Sequence, residues 1–113
     1  MQFMLMIYHG PTPWVPGALP EPEQKAIYAD YAKLNKTAGG TPGLPLGLPD
    51  AARTVQVRDG KTHVKNGTYL AEGVGGYYLY EAETMEAAIA LARTIPAARL
   101  GGAVEIRPVE KFW

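Results

Sequence analysis

The chain has 113 residues, 47% of them apolar, and its eleven Lys and Arg balance eleven Asp and Glu. That is one domain's worth of sequence, able to bury roughly 60–70% of its unfolded surface. The zero net charge gives no long-range field for nucleic acid or an anionic membrane, and the absence of cysteine excludes disulfides, thiolate zinc sites and a cysteine nucleophile. Gly and Pro together take 23 of the 113 positions, where an average chain has about 12%. Fourteen of them fall in two segments, Gly10 to Pro22 and Gly39 to Pro49, so the excess marks two loops rather than a disordered chain.

The start of the chain has no basic segment, and its apolar run is too short for a signal peptide or a membrane span. The expectation is a soluble cytoplasmic protein of a single domain, residues 1–113. Phe3 to Tyr8 is a near-continuous apolar run of strand length, which fits a mid-sheet strand buried on both faces. His9-Gly10-Pro11 breaks it, and a loop anchored by Trp14 and Val15 runs to Pro22. Proline suits the first turn of a helix, and Glu21 and Glu23 favour its positive end. Ile27, Tyr31, Leu34 and Ala38 then form one stripe, which predicts a helix over 22–38 ended by Gly39-Gly40.

After the second loop, residues 53–58 alternate with period two, Asp59-Gly60 is the preferred type I′ pair, and residues 61–65 resume the alternation, which predicts a β-hairpin. Asn66-Gly67 is a second turn signal. Gly73, Gly75 and Gly76 lead into the aromatic strand Tyr77-Tyr78-Leu79-Tyr80-Glu81. Thr84 caps a second predicted helix with the stripe Met85, Ala88, Ile89, Ala92 and Ile95, closed by Pro96. Residues 103–107 form the last strand. The order β-α-β-β-β-α-β fits an α+β, ferredoxin-like antiparallel sheet with an extra hairpin strand and two helices on one face. The other face needs a cover, and a second copy of the same sheet is the economical one, so a homodimer is expected.

Five blocks carry a family resemblance: Met4 to Tyr8, Thr54 to Thr62, Gly75 to Leu79, Ala92 to Arg99 and Gly102 to Val109. In order, and over nearly the whole chain, they resemble the YCII-related family, in particular its DGPF-domain branch. The resemblance implies a ferredoxin-like fold that dimerises into an α/β barrel with a cleft in each subunit. Most members are uncharacterised; a few act on small organic compounds, including dehydrochlorination of a hydroxyquinol, and the branch is linked by gene neighbourhood to alternative sigma factors. Where the branch has Asp-Gly-Pro-Phe this chain has Asn66-Gly67-Thr68-Tyr69. The His and Asp of the smaller YCII-type enzymes fall by position near Tyr28 and on Ile95, so the resemblance carries no acid–base pair onto this chain.

The candidate catalytic residue is therefore His9, at a strand end beside a loop, where an imidazole titrates near neutrality and serves as a base. Trp14, Tyr28, Tyr69 and Tyr78 are the candidate ligand-binding residues, as aromatic surfaces and hydroxyl donors. His63 has no second His or carboxylate at ligand spacing, so no metal is expected. Gly73-Val74-Gly75-Gly76 lacks the downstream Lys-Ser/Thr of a phosphate loop and opens a strand, so no nucleotide cofactor is expected either. The reading that results is a homodimer whose cleft binds a small aromatic or apolar organic molecule, with cofactor-free acid/base or elimination chemistry, without nucleic acid or membrane as partner. The alternative is a non-catalytic interaction or regulatory module linked to transcription, in which the aromatics are interface packing.

Overall fold

Alternation decides which face of the first strand enters the core. In the computed structural model, which describes residues 1–10, 19–70 and 73–110, strand β1 (Gln2–Tyr8) buries Phe3, Leu5 and Ile7, while Met4, Met6 and Tyr8 on the opposite face stay half-buried. The strand is central, as its apolar run predicts, lying between β5 (Val74–Glu81) and β6 (Ala103–Pro108), both antiparallel to it. The expectation of burial on both faces is corrected: within one chain only the helix-side face is closed.

Helix α1 (Glu21–Asn35) begins with Pro22 in its first turn and acidic side chains at Glu21 and Glu23, and it buries Ile27 and Leu34 from the expected stripe. It stops about a turn earlier than Gly39 suggests. The Leu34 carbonyl accepts the buried Tyr78 hydroxyl at 2.8 Å, and the Lys36 N–H turns back to the Lys33 carbonyl at 3.1 Å. Gly39, at φ 81°, then makes the left-handed step into β2 (Gly40–Pro42), a conformation glycine adopts without steric cost. β2 has no sequence signature as a strand. It is three residues long and ends in proline, which an edge strand tolerates because that N–H needs no partner.

Helix α2 (Met85–Ala92) starts as expected, with the Thr84 side chain accepting the Ala87 N–H at 3.2 Å. Ala88 and Ala92 are buried, whereas Ile89 of the expected stripe is 48% exposed. The small alanines let the helix sit close on the sheet. Ile95 and Ala97 complete the core beside Phe3, Leu5, Ile7, Leu34 and Tyr78.

The main sheet has the order β2-β5-β1-β6, with antiparallel neighbours throughout. Four antiparallel strands with two helices against one face make an α+β, ferredoxin-like fold. The predicted hairpin, β3 (Arg53–Arg58) and β4 (Lys61–Asn66), is present with Asp59 and Gly60 both at positive φ. It forms a two-stranded sheet of its own rather than extra strands of the main one; β2 takes the sheet-edge position instead. Among the described residues, no helix is long and apolar enough to cross a membrane.

Candidate functional site

The shortness of β2 opens a cavity. Beyond Pro42 the chain hydrogen-bonds to the β5 edge through its backbone, Gly43 N–H to the Tyr77 carbonyl at 3.1 Å and Leu46 N–H to the Gly75 carbonyl at 3.0 Å. Pro45 donates nothing between them. The segment walls a cavity of about 900 Å³ with the end of β1, the last turns of α1 and the start of β5. Its floor includes Ile7, Leu34 and Tyr78, and its loop wall carries Leu44, Leu46 and Leu48, which are 71%, 47% and 48% exposed. The walls are largely carbon, and the polar side chains among them are few: His9, Asn35 and the tyrosines.

The His9 ring is set against a glycine of β5. A Cβ at Gly75 would lie 2.2 Å from the imidazole Cδ2 and 2.6 Å from Nε2, so the ring rests directly against the β5 backbone. The next residue is fixed as closely: a Cβ on Gly10 would lie 2.6 Å from the Gly101 carbonyl oxygen, and one on Gly102 would lie 2.1 Å from that of Tyr8. Partial burial pushes the His9 pKa below 6.5, since a desolvated cation is disfavoured. The imidazole therefore enters the cavity neutral at pH 7, with one nitrogen able to accept a proton.

Tyr31 lines the same cavity, half-buried, one helical turn before Asn35. Burial raises its pKa above 10, partly offset by the Arg99 guanidinium, which pairs with Asp30. Tyr31 therefore stays protonated and offers a donor. The Tyr78 pKa is also raised, chiefly by burial; its hydroxyl already donates to Leu34, and its ring forms floor.

Of the residues singled out from sequence, His9 and Tyr78 line the cavity. Tyr28 is 52% exposed and Tyr69 is 66% exposed, and neither is part of the lining. Trp14 lies outside the described residues. Tyr31, Asn35 and Tyr77 are lining residues that sequence reasoning assigned to packing or passed over. The repeat Gly43-Leu44-Pro45-Leu46-Gly47-Leu48-Pro49 was the legible signal for the loop wall: leucines exposed in a proline-stiffened loop need something apolar to face. Among the described residues, no group of three or more His, Asp or Glu side chains is placed to hold a metal ion.

The model of the YCII-related domain matches residues 1–113. The chain belongs to the YCII-related family. No curated protein matches it.

Proposed function

We propose that this YCII-related protein binds a small aromatic or otherwise apolar organic molecule in the cavity beside His9, and that the chemistry offered there is cofactor-free proton transfer. The observation that carries this reading is the neutral, half-buried imidazole set in a carbon-walled cavity of about 900 Å³. That volume lies at the upper end of the usual range for small-molecule sites, roughly 300–1,000 Å³, and a few convergent polar groups in an apolar wall are what such sites use for orientation. A phenol or an aromatic acid with an acidic C–H or O–H fits: the ring packs on Leu44, Leu46 and Ile7, the imidazole accepts the proton, and the Tyr31 hydroxyl donates to an oxygen.

A thermal-shift panel of phenols, aromatic acids and apolar controls tests it. A true ligand stabilises by mass action, about 2.7 kcal/mol at a hundred times its Kd, so a dose-dependent rise in Tm is expected for at least one ring-bearing compound. His9→Gln should keep the fold and weaken binding of that compound. Silence across the panel, or a response that His9→Gln leaves unchanged, overturns the reading.

A further inference from the structure

The cavity beside His9 carries no formal charge. Among the described residues, its lining holds no Lys, Arg, Asp or Glu, and burial keeps His9 itself neutral. The Arg99 guanidinium, which acts on Tyr31, is not part of the lining and is paired with Asp30. The hydrogen-bonding side chains there are His9, Asn35 and three tyrosines, and the Tyr78 hydroxyl is already given to the Leu34 carbonyl. An ionised ligand would give up its water shell with no opposite charge to replace it, which is costly. A neutral ligand with a single hydroxyl loses little and pairs that group with the imidazole.

The cavity is also too large for one ring. A carbon-lined cavity of roughly 150 Å³ holds a benzene molecule, and this one has about 900 Å³. Its loop wall runs beside β5: the Gly43 N–H meets the Tyr77 carbonyl, and Pro49 Cγ lies 3.8 Å from where a Gly73 Cβ would stand. The four residue steps from Tyr77 to Gly73, at about 3.3 Å each, make that wall roughly 13 Å long, about the length of three fused rings. Along it Leu44, Leu46 and Leu48 are exposed, and one ring cannot cover all three. Pro42, Pro45 and Pro49 stiffen the wall, which suits a rigid occupant, since a flexible chain would lose its own rotamer freedom on binding.

We propose that the occupant is an uncharged, flat molecule of two to three fused rings bearing one hydroxyl or carbonyl group, lying along the loop wall with that group at His9. This rests on the reading of the cavity as a ligand site and narrows it: an aromatic acid enters only when protonated, and a single-ring phenol leaves most of the wall uncovered. The gain with size has a physical source, because each added ring displaces poorly held water from leucine and proline carbon.

Isothermal titration calorimetry of the full chain at pH 7 with phenol, a naphthol, a phenanthrol, a naphthoate and a long-chain alcohol tests this. Kd should fall about tenfold with each added ring, and the naphthoate should bind at least about 30-fold more weakly than the naphthol. Leu44→Arg and, separately, Leu46→Arg change side chains already exposed to solvent. Each supplies the missing cation and should reverse the preference for naphthol over naphthoate with an unchanged circular dichroism spectrum. His9→Gln should weaken the naphthol yet keep that preference, because the uncharged walls set it. A naphthoate that matches the naphthol, a phenol that matches the phenanthrol, or an alcohol chain that binds tighter than the fused rings overturns this proposal and leaves the cavity as a ligand site. No binding by any of these compounds overturns both.

Discussion

Adding one methyl group at Gly75 should move the candidate base. The new Cβ would stand 2.2 Å from His9 Cδ2 and 2.6 Å from Nε2, while ordinary carbon contacts lie near 3.5–4.0 Å, so a gap of about 1.3 Å or more must open. Gly75 lies at a bulge of β5, between Val74 and Gly76, which pair with Tyr8 and Ile7 of β1, and its carbonyl accepts the Leu46 N–H, whereas the imidazole is the end of a side chain with an open cavity beside it. The ring therefore swings into the cavity. Overpacking costs of about 1–3 kcal/mol are offset by roughly 0.4–1 kcal/mol from the stiffer unfolded chain. A net loss of about 1 kcal/mol results, a Tm drop of roughly 4–6 °C. The larger effect is local. A displacement of about 1 Å at a reacting group costs on the order of 100-fold in rate or productive binding, and a ring moved into a wetter position regains part of its lost basicity. The assay is an NMR pH titration of His9 in wild type and Gly75→Ala, with Gly76→Ala as the control, because a Cβ there meets only Ile7 Cδ1 at 3.8 Å. The His9 resonances and pKa should move in Gly75→Ala, with the pKa rising towards 6.5, and stay put in Gly76→Ala. Identical His9 titrations in all three proteins would refute the close-packing argument.

Two further outcomes follow from the same region. Tyr78→Phe removes the buried hydroxyl that caps the Leu34 carbonyl and should cost about 1–2 kcal/mol in urea unfolding; Gly40→Ala, whose Cβ would lie 1.6 Å from that hydroxyl oxygen, should cost more, about 2–3 kcal/mol. The lowered His9 pKa also makes stability pH-dependent. The unfolded imidazole takes up its proton near pH 6.5 and the folded one only at lower pH, so its contribution is complete above about pH 6.5 and is lost as pH falls through the folded pKa. His9→Gln should flatten that part of the stability–pH curve, and an unchanged slope would show that the folded imidazole is as hydrated as the unfolded one.

Periodicity and turn chemistry in the sequence were enough to place β1 mid-sheet, to cap α2 at Thr84 and to close the hairpin at Asp59-Gly60, because each of these depends on neighbours within a few residues. Non-local partners decided the rest. α1 ends at Asn35 rather than near Gly39, where the Lys36 and Thr37 N–H groups turn back to the Lys33 and Leu34 carbonyls and Tyr78, 44 residues away in sequence, adds its hydroxyl to the Leu34 carbonyl. Gly40-Thr41-Pro42 becomes a strand because β5 offers it an edge. Ile89 fits an apolar stripe by spacing, yet the helix rotates to bring Ala88 and Ala92 against the sheet.

The site divides in the same way. A histidine at a strand end and a leucine–proline loop were visible as separate features in the sequence. Their meeting was not, since it depends on where residues 42–49 run beside β5 and on the bare backbone at Gly75. The sequence alone determined the α+β class, the family resemblance, the hairpin and the neutral charge, all read from composition and local pattern. Only the tertiary structure decided that the hairpin leaves the main sheet and stands free, and that His9 faces a carbon-walled cavity in neutral form, because burial and close approach belong to residues far apart along the chain.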